Sequence, residues 1–268
     1  MNLRLYDAHN HLQDERLAPH LAEIVTSIER SGIARVMVNG ACESDWPAVL
    51  ELAKAHEWVL PSFGYHPWYV AERTPRWRER LVEFLDAVPS AIGEIGLDRW
   101  KPGLDYAGQE EVFLWQFALA AERNLPASLH CLQAWGRLFD LLRVGPRPAR
   151  GFLLHSYGGP AEMVVPLAKL GAYFSLPGYF AHERKTRQRE TFKLVPRERL
   201  LIETDAPDQS LPESRVPHPL PNDANGRPVN HPANLGAVYE FAAELRGETI
   251  EILTAQVEEN FHRLFGKC

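Results

Sequence analysis

Residues 91–97 read Ala-Ile-Gly-Glu-Ile-Gly-Leu, with Asp98 directly after. The run is apolar at nearly every position instead of alternating, which is the pattern of a parallel strand covered on both faces. Inside it sits Glu94, an acid that packing among Ile and Gly does not explain, because an unpaired buried carboxylate is costly. Seven further strand-like runs accompany it, at residues 3–8, 34–39, 59–65, 126–130, 152–155, 172–176 and 200–204. Between most of them the chain takes a helical period. Leu21, Ile24, Val25 and Ile28 form a stripe that stops at Gly32; Val112, Phe113, Trp115, Gln116, Leu119 and Ala120 form another that ends near Asn124. Residues 77–88, 134–143, 161–170 and 235–245 read the same way. Strand and helix alternating eight times predicts right-handed βαβ units closed into a single (β/α)8 TIM barrel over residues 1–268. An open doubly wound sheet is the alternative.

Composition agrees with one barrel, which typically uses about 250 residues; the chain has 268, of which 45% are hydrophobic and 24% charged. No apolar run reaches the ~18 residues of a membrane span, and residues 1–11 lack the basic-then-apolar pattern of a signal peptide. Cys42, Cys131 and Cys268 form neither a CxxC pair nor an even framework, so a cytoplasmic setting is expected. The net charge of −6 excludes a generally basic nucleic-acid surface, so any such role must come from a local site. No obligate protein partner is evident. The one compositional break is residues 206–233, a long loop after the eighth strand with seven prolines, read equally as a functional lid or a stiffened surface excursion.

Six potential metal ligands share a placement. His9 and His11 close the first run as His-x-His, on one side by period-two geometry. Glu94 lies in the fourth run, His130 ends the fifth, His155 ends the sixth, and Asp205 follows the eighth. In a barrel all these strand ends converge on the face where active sites are built. Four imidazoles and two carboxylates suffice for two divalent ions, Zn²⁺, Mn²⁺ or Mg²⁺, with a carboxylate between them. As isolated hydrogen-bonding residues they would require six coincidences of position.

Further residues are weaker candidates. His66, in Gly-Tyr-His-Pro after the third run, is expected to orient substrate or a leaving group. Glu203, two residues before Asp205, either assists metal-bound water or forms a structural ion pair. His231 sits beside Asn230 and Asn234, where cap and turn roles come first. His20, His56, His182, His218 and His262 read as ordinary helix or loop histidines. Tyr65, Trp68, Trp100 and Trp135 lie near the expected mouth, where an exposed ring can stack on a base. Arg184, Lys185, Arg187 and Arg189 read first as a solvated helix face.

The ordered landmarks Asp7-Ala8-His9-Asn10-His11-Leu12, Gly64-Tyr65-His66-Pro67, Gly93-Glu94-Ile95-Gly96-Leu97-Asp98, Leu129-His130-Cys131, Leu154-His155-Ser156, Glu203-Thr204-Asp205-Ala206-Pro207 and Asn260-Phe261-His262-Arg263-Leu264-Phe265 run nearly end to end. On them the chain resembles the TatD family of metal-dependent deoxyribonucleases, within the amidohydrolase-like barrels. The resemblance implies a two-metal site in which His9, His11 and Asp205 hold one ion, His130 and His155 the other, and Glu94 bridges. It also implies a DNA or small phosphodiester substrate, with 3′-5′ exonuclease action on single-stranded ends. Two departures bear on substrate choice. Leu132 and Gln133 stand where the family carries a basic residue and an acid, and Arg99-Trp100 replaces its aromatic pair. The reaction expected is hydrolysis by metal-activated water, with Asp205 accepting the water's proton and His66 or water serving the leaving oxygen. Two divalent cations against two carboxylates leave the mouth cationic, which suits a phosphate. The rival enzyme is a metal hydrolase of a small amide, ester or lactone; the rival from another class is a metal-retaining scaffold.

Overall fold

The computed structural model describes residues 3–266, so Cys268 lies outside the described residues. Eight parallel strands form one sheet in chain order. They are β1 (Leu5–Asn10), β2 (Ile33–Asn39), β3 (Val59–Phe63), β4 (Ala91–Asp98), β5 (Ala127–Leu132), β6 (Phe152–Leu154), β7 (Ala172–Pro177) and β8 (Leu200–Glu203). The helices between them are α1 (Leu21–Arg30), α2 (Trp46–Ala55), α3 (Trp77–Ala87), α4 (Tyr106–Arg123), α5 (Trp135–Val144), α6 (Val164–Lys169) and α7 (Thr186–Lys193); α8 (Leu235–Arg246) and α9 (Ile250–Phe265) follow β8. This is the (β/α)8 barrel, not the open doubly wound sheet.

The seam between β8 and β1 closes the barrel. Asp205 N–H donates to the His9 carbonyl at 2.9 Å and His11 N–H to the Ala206 carbonyl at 2.8 Å. Deeper in the seam a side chain takes over. The Asp7 carboxylate accepts from Thr204 N–H at 3.0 Å and from Thr204 Oγ1 at 2.5 Å.

Several boundaries differ from expectation. β1 runs on to Asn10, which takes His9 into the strand and leaves His11 one residue past it, while β3 ends at Phe63, three residues before His66. The expected helices stop at residue 245 and omit 46–55. α2 is apolar at most positions and carries Pro47 in its first turn, so its period is blurred. α9 has clear signals: a Thr249 cap accepting from Ile252 N–H and a stripe of Leu253, Val257, Phe261 and Leu264. Its Asn260 fastens it to the entry of β8, donating to the carbonyls of Arg197 and Leu200 at 2.7 and 2.8 Å.

The core lies between strands and helices, where residues such as Ile24, Ile28, Trp46, Phe113, Leu138 and Phe261 are buried, each contributing about 1.5–3 kcal/mol by leaving water. The upper barrel interior is different. Ser62, Ser128 and Ser175, on alternate strands β3, β5 and β7, are fully buried, the layered arrangement of this architecture. His9 on β1 reaches across to Ser128 on β5, with Nδ1 2.8 Å from its Oγ. Small side chains thus leave room for imidazoles at the C-terminal end.

After β8 the proline-rich stretch is built inward from its base. Asn230 bonds the carbonyls of Pro207 and Thr204 at 2.8 and 2.9 Å, and Asn234 exchanges bonds with the backbone of His218. His231 Nδ1 caps Ala233 N–H, and its Nε2 lies 3.0 Å from Glu23. That is a turn and cap role.

Candidate metal centre

Glu94 projects into the mouth with its two oxygens facing two groups of imidazoles. Oε2 lies 3.4 Å from His9 Nε2 and 3.2 Å from His11 Nε2. Oε1 lies 2.9 Å from His130 Nδ1, 2.8 Å from His155 Nε2 and 3.4 Å from His66 Nε2. Asp205 completes the first group, its Oδ1 3.7 Å from Nε2 of both His9 and His11. Asp205 takes a left-handed turn, φ 50°, two residues past the end of β8, a conformation Asp tolerates better than most residues. All six expected ligands therefore meet, and His66 joins them.

The outer nitrogens reveal which lone pairs point inward. His11 Nδ1–H donates to the Asn39 carbonyl at 2.8 Å, and His130 Nε2–H to Asp98 Oδ2 at 3.0 Å. Each neutral ring must then aim a bare nitrogen at Glu94. His9 Nε2 and His11 Nε2 are only 3.3 Å apart. Lone pairs packed against one another and against carboxylate oxygens repel unless a positive charge lies among them, and Glu94 Oε1 has no hydrogen-bond donor. Imidazoles and carboxylates in this arrangement fit divalent transition-metal cations. His66 is different: its Nδ1 accepts from Trp68 N–H at 3.2 Å, which leaves the proton of the neutral ring on Nε2, facing the site.

Electrostatics follow the burial. Glu94 is held well below the usual carboxylate range: burial opposes this, but the surrounding imidazoles, His155 foremost, prevail. Burial drives His66 down to about 4, and the His130 charge adds to the effect. Burial also works against the Asp98 carboxylate, yet hydrogen bonds from His130 and Trp68 bring it to about 2.

The positioning residues were only partly foreseen. Asp98, four residues after Glu94 on β4, backs His130 while also accepting from Trp68 Nε1 at 2.6 Å. Glu203 is fully buried behind the cluster. It accepts from Ser156 N–H at 2.7 Å, from Ser156 Oγ at 2.6 Å and from Ser175 Oγ, with His155 Nδ1 4.0 Å away. Gln109 and Gln116, on one face of α4, hold the backbones at Asp98 and Tyr65; the apolar stripe assigned to Gln116 concealed this. Tyr65 is buried and donates to Glu43, and Trp135 packs on Tyr157, so neither ring is free to stack. Trp100 is 59% exposed. In the 184–189 cluster, Arg184 and Lys185 lie over the Tyr179 ring, and Arg189 donates to the carbonyls of Phe180, His182 and Glu183.

A parallel barrel with an imidazole–carboxylate cluster at its C-terminal mouth is the architecture of a metal-dependent hydrolase. The chain belongs to the family of TatD-related DNases, whose sequence model matches residues 6–266. It is 30% identical to the 3′-5′ ssDNA/RNA exonuclease TatD of Pantoea ananatis, over 98% of this chain and 99% of that one. It is 31% identical to the uncharacterized metal-dependent hydrolase YabD of Bacillus subtilis, over 97% and 98%. The crystal structure of YjjV, a TatD homologue from Escherichia coli K12, superposes with a TM-score of 0.88 over the full length of both chains at 24% identity. No helix among the described residues is long and apolar enough to cross a membrane.

Proposed function

We propose that this chain, acting as one hydrolase domain, cleaves phosphodiester bonds at the 3′ ends of single-stranded DNA. In this reading two divalent cations are held by His9, His11 and Asp205 on one side and His130 and His155 on the other, with Glu94 between them. The observation that carries the proposal is the division of Glu94, with one oxygen on each imidazole group. The ligand set favours zinc or manganese on softness. Such ions, when bound, supply a water of lowered pKa and positive charge against the phosphoryl oxygens.

The chain's own groups do the rest. Asp205, at the edge of the cluster, accepts the proton of the attacking water. His66 presents Nε2–H and so donates a hydrogen bond to the leaving oxygen. Asp98 hydrogen-bonds His130 and orients its ring, the usual task of such an outer carboxylate, while Glu203, committed to Ser156 and Ser175, places its carboxylate behind His155 without a hydrogen bond to it. Support for the substrate comes from the relatives named as exonucleases and from the cationic character such a centre gives an otherwise acidic protein.

The test is a panel of end-labelled single-stranded DNA, RNA, a nitrophenyl phosphodiester, amides and lactones, each with Mg²⁺, Mn²⁺ and Zn²⁺, alongside elemental analysis of the purified protein. Stepwise shortening of DNA from the 3′ end, abolished in Glu94→Ala, is expected. Turnover of carbonyl substrates alone would overturn the reading, and a ladder of internal cuts appearing first would overturn the exonucleolytic part.

A further inference from the structure

The loop after β4 carries a feature that the chemistry of cleavage does not use. Asp98 Oδ1 accepts from the N–H groups of Trp100 and Lys101 at 2.7 and 3.1 Å, while its Oδ2 accepts from Trp68 Nε1 and holds His130. One carboxylate thus fixes both a centre imidazole and the loop beside it. On that loop Lys101 Nζ lies 4.5 Å from the Trp68 ring centroid, and the Trp68 ring lies 6.4 Å from that of His130. Lys101 forms no ion pair among the described residues. By contrast, Arg99 is paired with Glu110, and Arg16, across the mouth, is paired with both Asp14 and Asp208. Beside Lys101 stands Trp100, the most exposed aromatic side chain among the large apolar residues.

An unpaired ammonium and an open indole on a loop tethered to Asp98, next to the proposed phosphodiester site, match the two things a single strand offers, a backbone phosphate and a base face. We propose that Lys101 and Trp100 form a subsite for the nucleotide adjoining the scissile phosphate, with Lys101 on the neighbouring phosphate and Trp100 stacked on its base. Both are binding residues that contact the strand directly. Asp98 sets the subsite's distance from the centre, and the Trp68 face confines Lys101 so that less freedom is lost on binding. The proposal rests on the phosphodiester reading above.

The test compares Lys101→Gln and Trp100→Ala with Lys169→Gln, a charge-matched control at the exposed end of α6 on the opposite face of the barrel. Substrates are an end-labelled oligodeoxynucleotide and a dinucleoside monophosphate, which has only the scissile phosphate. For the oligomer, Lys101→Gln and Trp100→Ala each raise KM about tenfold with little change in kcat. Lys101→Gln also lowers the slope of log KM against log salt by about 0.7. For the dinucleotide the Lys101→Gln effect disappears, which a merely structural role would not produce. Equal effects of Lys101→Gln and Lys169→Gln, or equal losses from Lys101→Gln on both substrates, overturn the subsite alone. Failure of the unaltered protein to cleave any phosphodiester overturns the function reading, and the subsite with it.

Discussion

At the scale of single residues, the proposed centre divides side chains that would hold cations from those that aim them. Asp98→Asn keeps the shape but weakens the carboxylate behind His130, and should lower metal affinity or activity about 10–100-fold; metal content after dialysis and kcat/KM measure it. His66→Gln should retain full metal content and lose about 100-fold in kcat, as removal of a proton-donating group does; loss of metal instead would make His66 a ligand. The metal-free protein also titrates. Burial opposes protonation of His11, but its hydrogen bond to Glu94 and the charges of Glu94 and Asp205 raise it to about 10. Burial likewise opposes His155, and the Glu94 charge raises it to about 9. Both lie above the ~6.5 of an unfolded histidine. Protonation therefore stabilises the metal-free fold fully below about pH 6.5, and that contribution is lost as pH rises through 9 to 10. Cations compete for the same nitrogens, so Mn²⁺ affinity should tighten with pH, by up to about tenfold per unit for each proton displaced. Calorimetric titration at pH 6, 7 and 8 checks this, and a constant Kd contradicts it.

At the scale of elements, β4 and β5 show how closely the backbone is drawn around the centre. Gly96 pairs with His130 and has φ +151°, and a Cβ there would lie 1.9 Å from the His130 carbonyl oxygen. Gly96→Ala should cost about 3 kcal/mol or more and displace His130. Gly103→Ala, at φ +79° with nothing within 4 Å of its Cβ, should cost only about 1 kcal/mol. Thermal unfolding and metal content of the two variants separate steric exclusion from backbone preference. Much of this level was legible in the sequence: continuous apolar runs mark parallel strands, and ligand-type residues at their ends mark the mouth. What escaped reading depended on contacts between distant segments. Asp98 stood in plain view beside Glu94, yet its partners Trp68 and His130 come from other units. Gln116 looked like part of a core stripe because nothing local announces a bond to the Tyr65 backbone, and β1 was placed two residues early because Asn10 follows His9 without any turn signal.

At the scale of the whole molecule, the proposed ligands come from β1, β4 and β5 or the segments just beyond β1, β6 and β8, so bound cations would join both halves of the barrel. Removing metal with EDTA should lower Tm, since a ligand present at 100 times its Kd stabilises the fold by about 2.7 kcal/mol; readdition of Mn²⁺ should restore it, and an unchanged Tm would argue against a shared centre. The seam between β8 and β1 has a temporal consequence. His9 and His11 are made some two hundred residues before Thr204 and Asp205, which follow β8 and seal them. Until translation reaches Ala206 the β1 edge has no partner from this segment and the cluster lacks Asp205, so closure of the barrel is a late event.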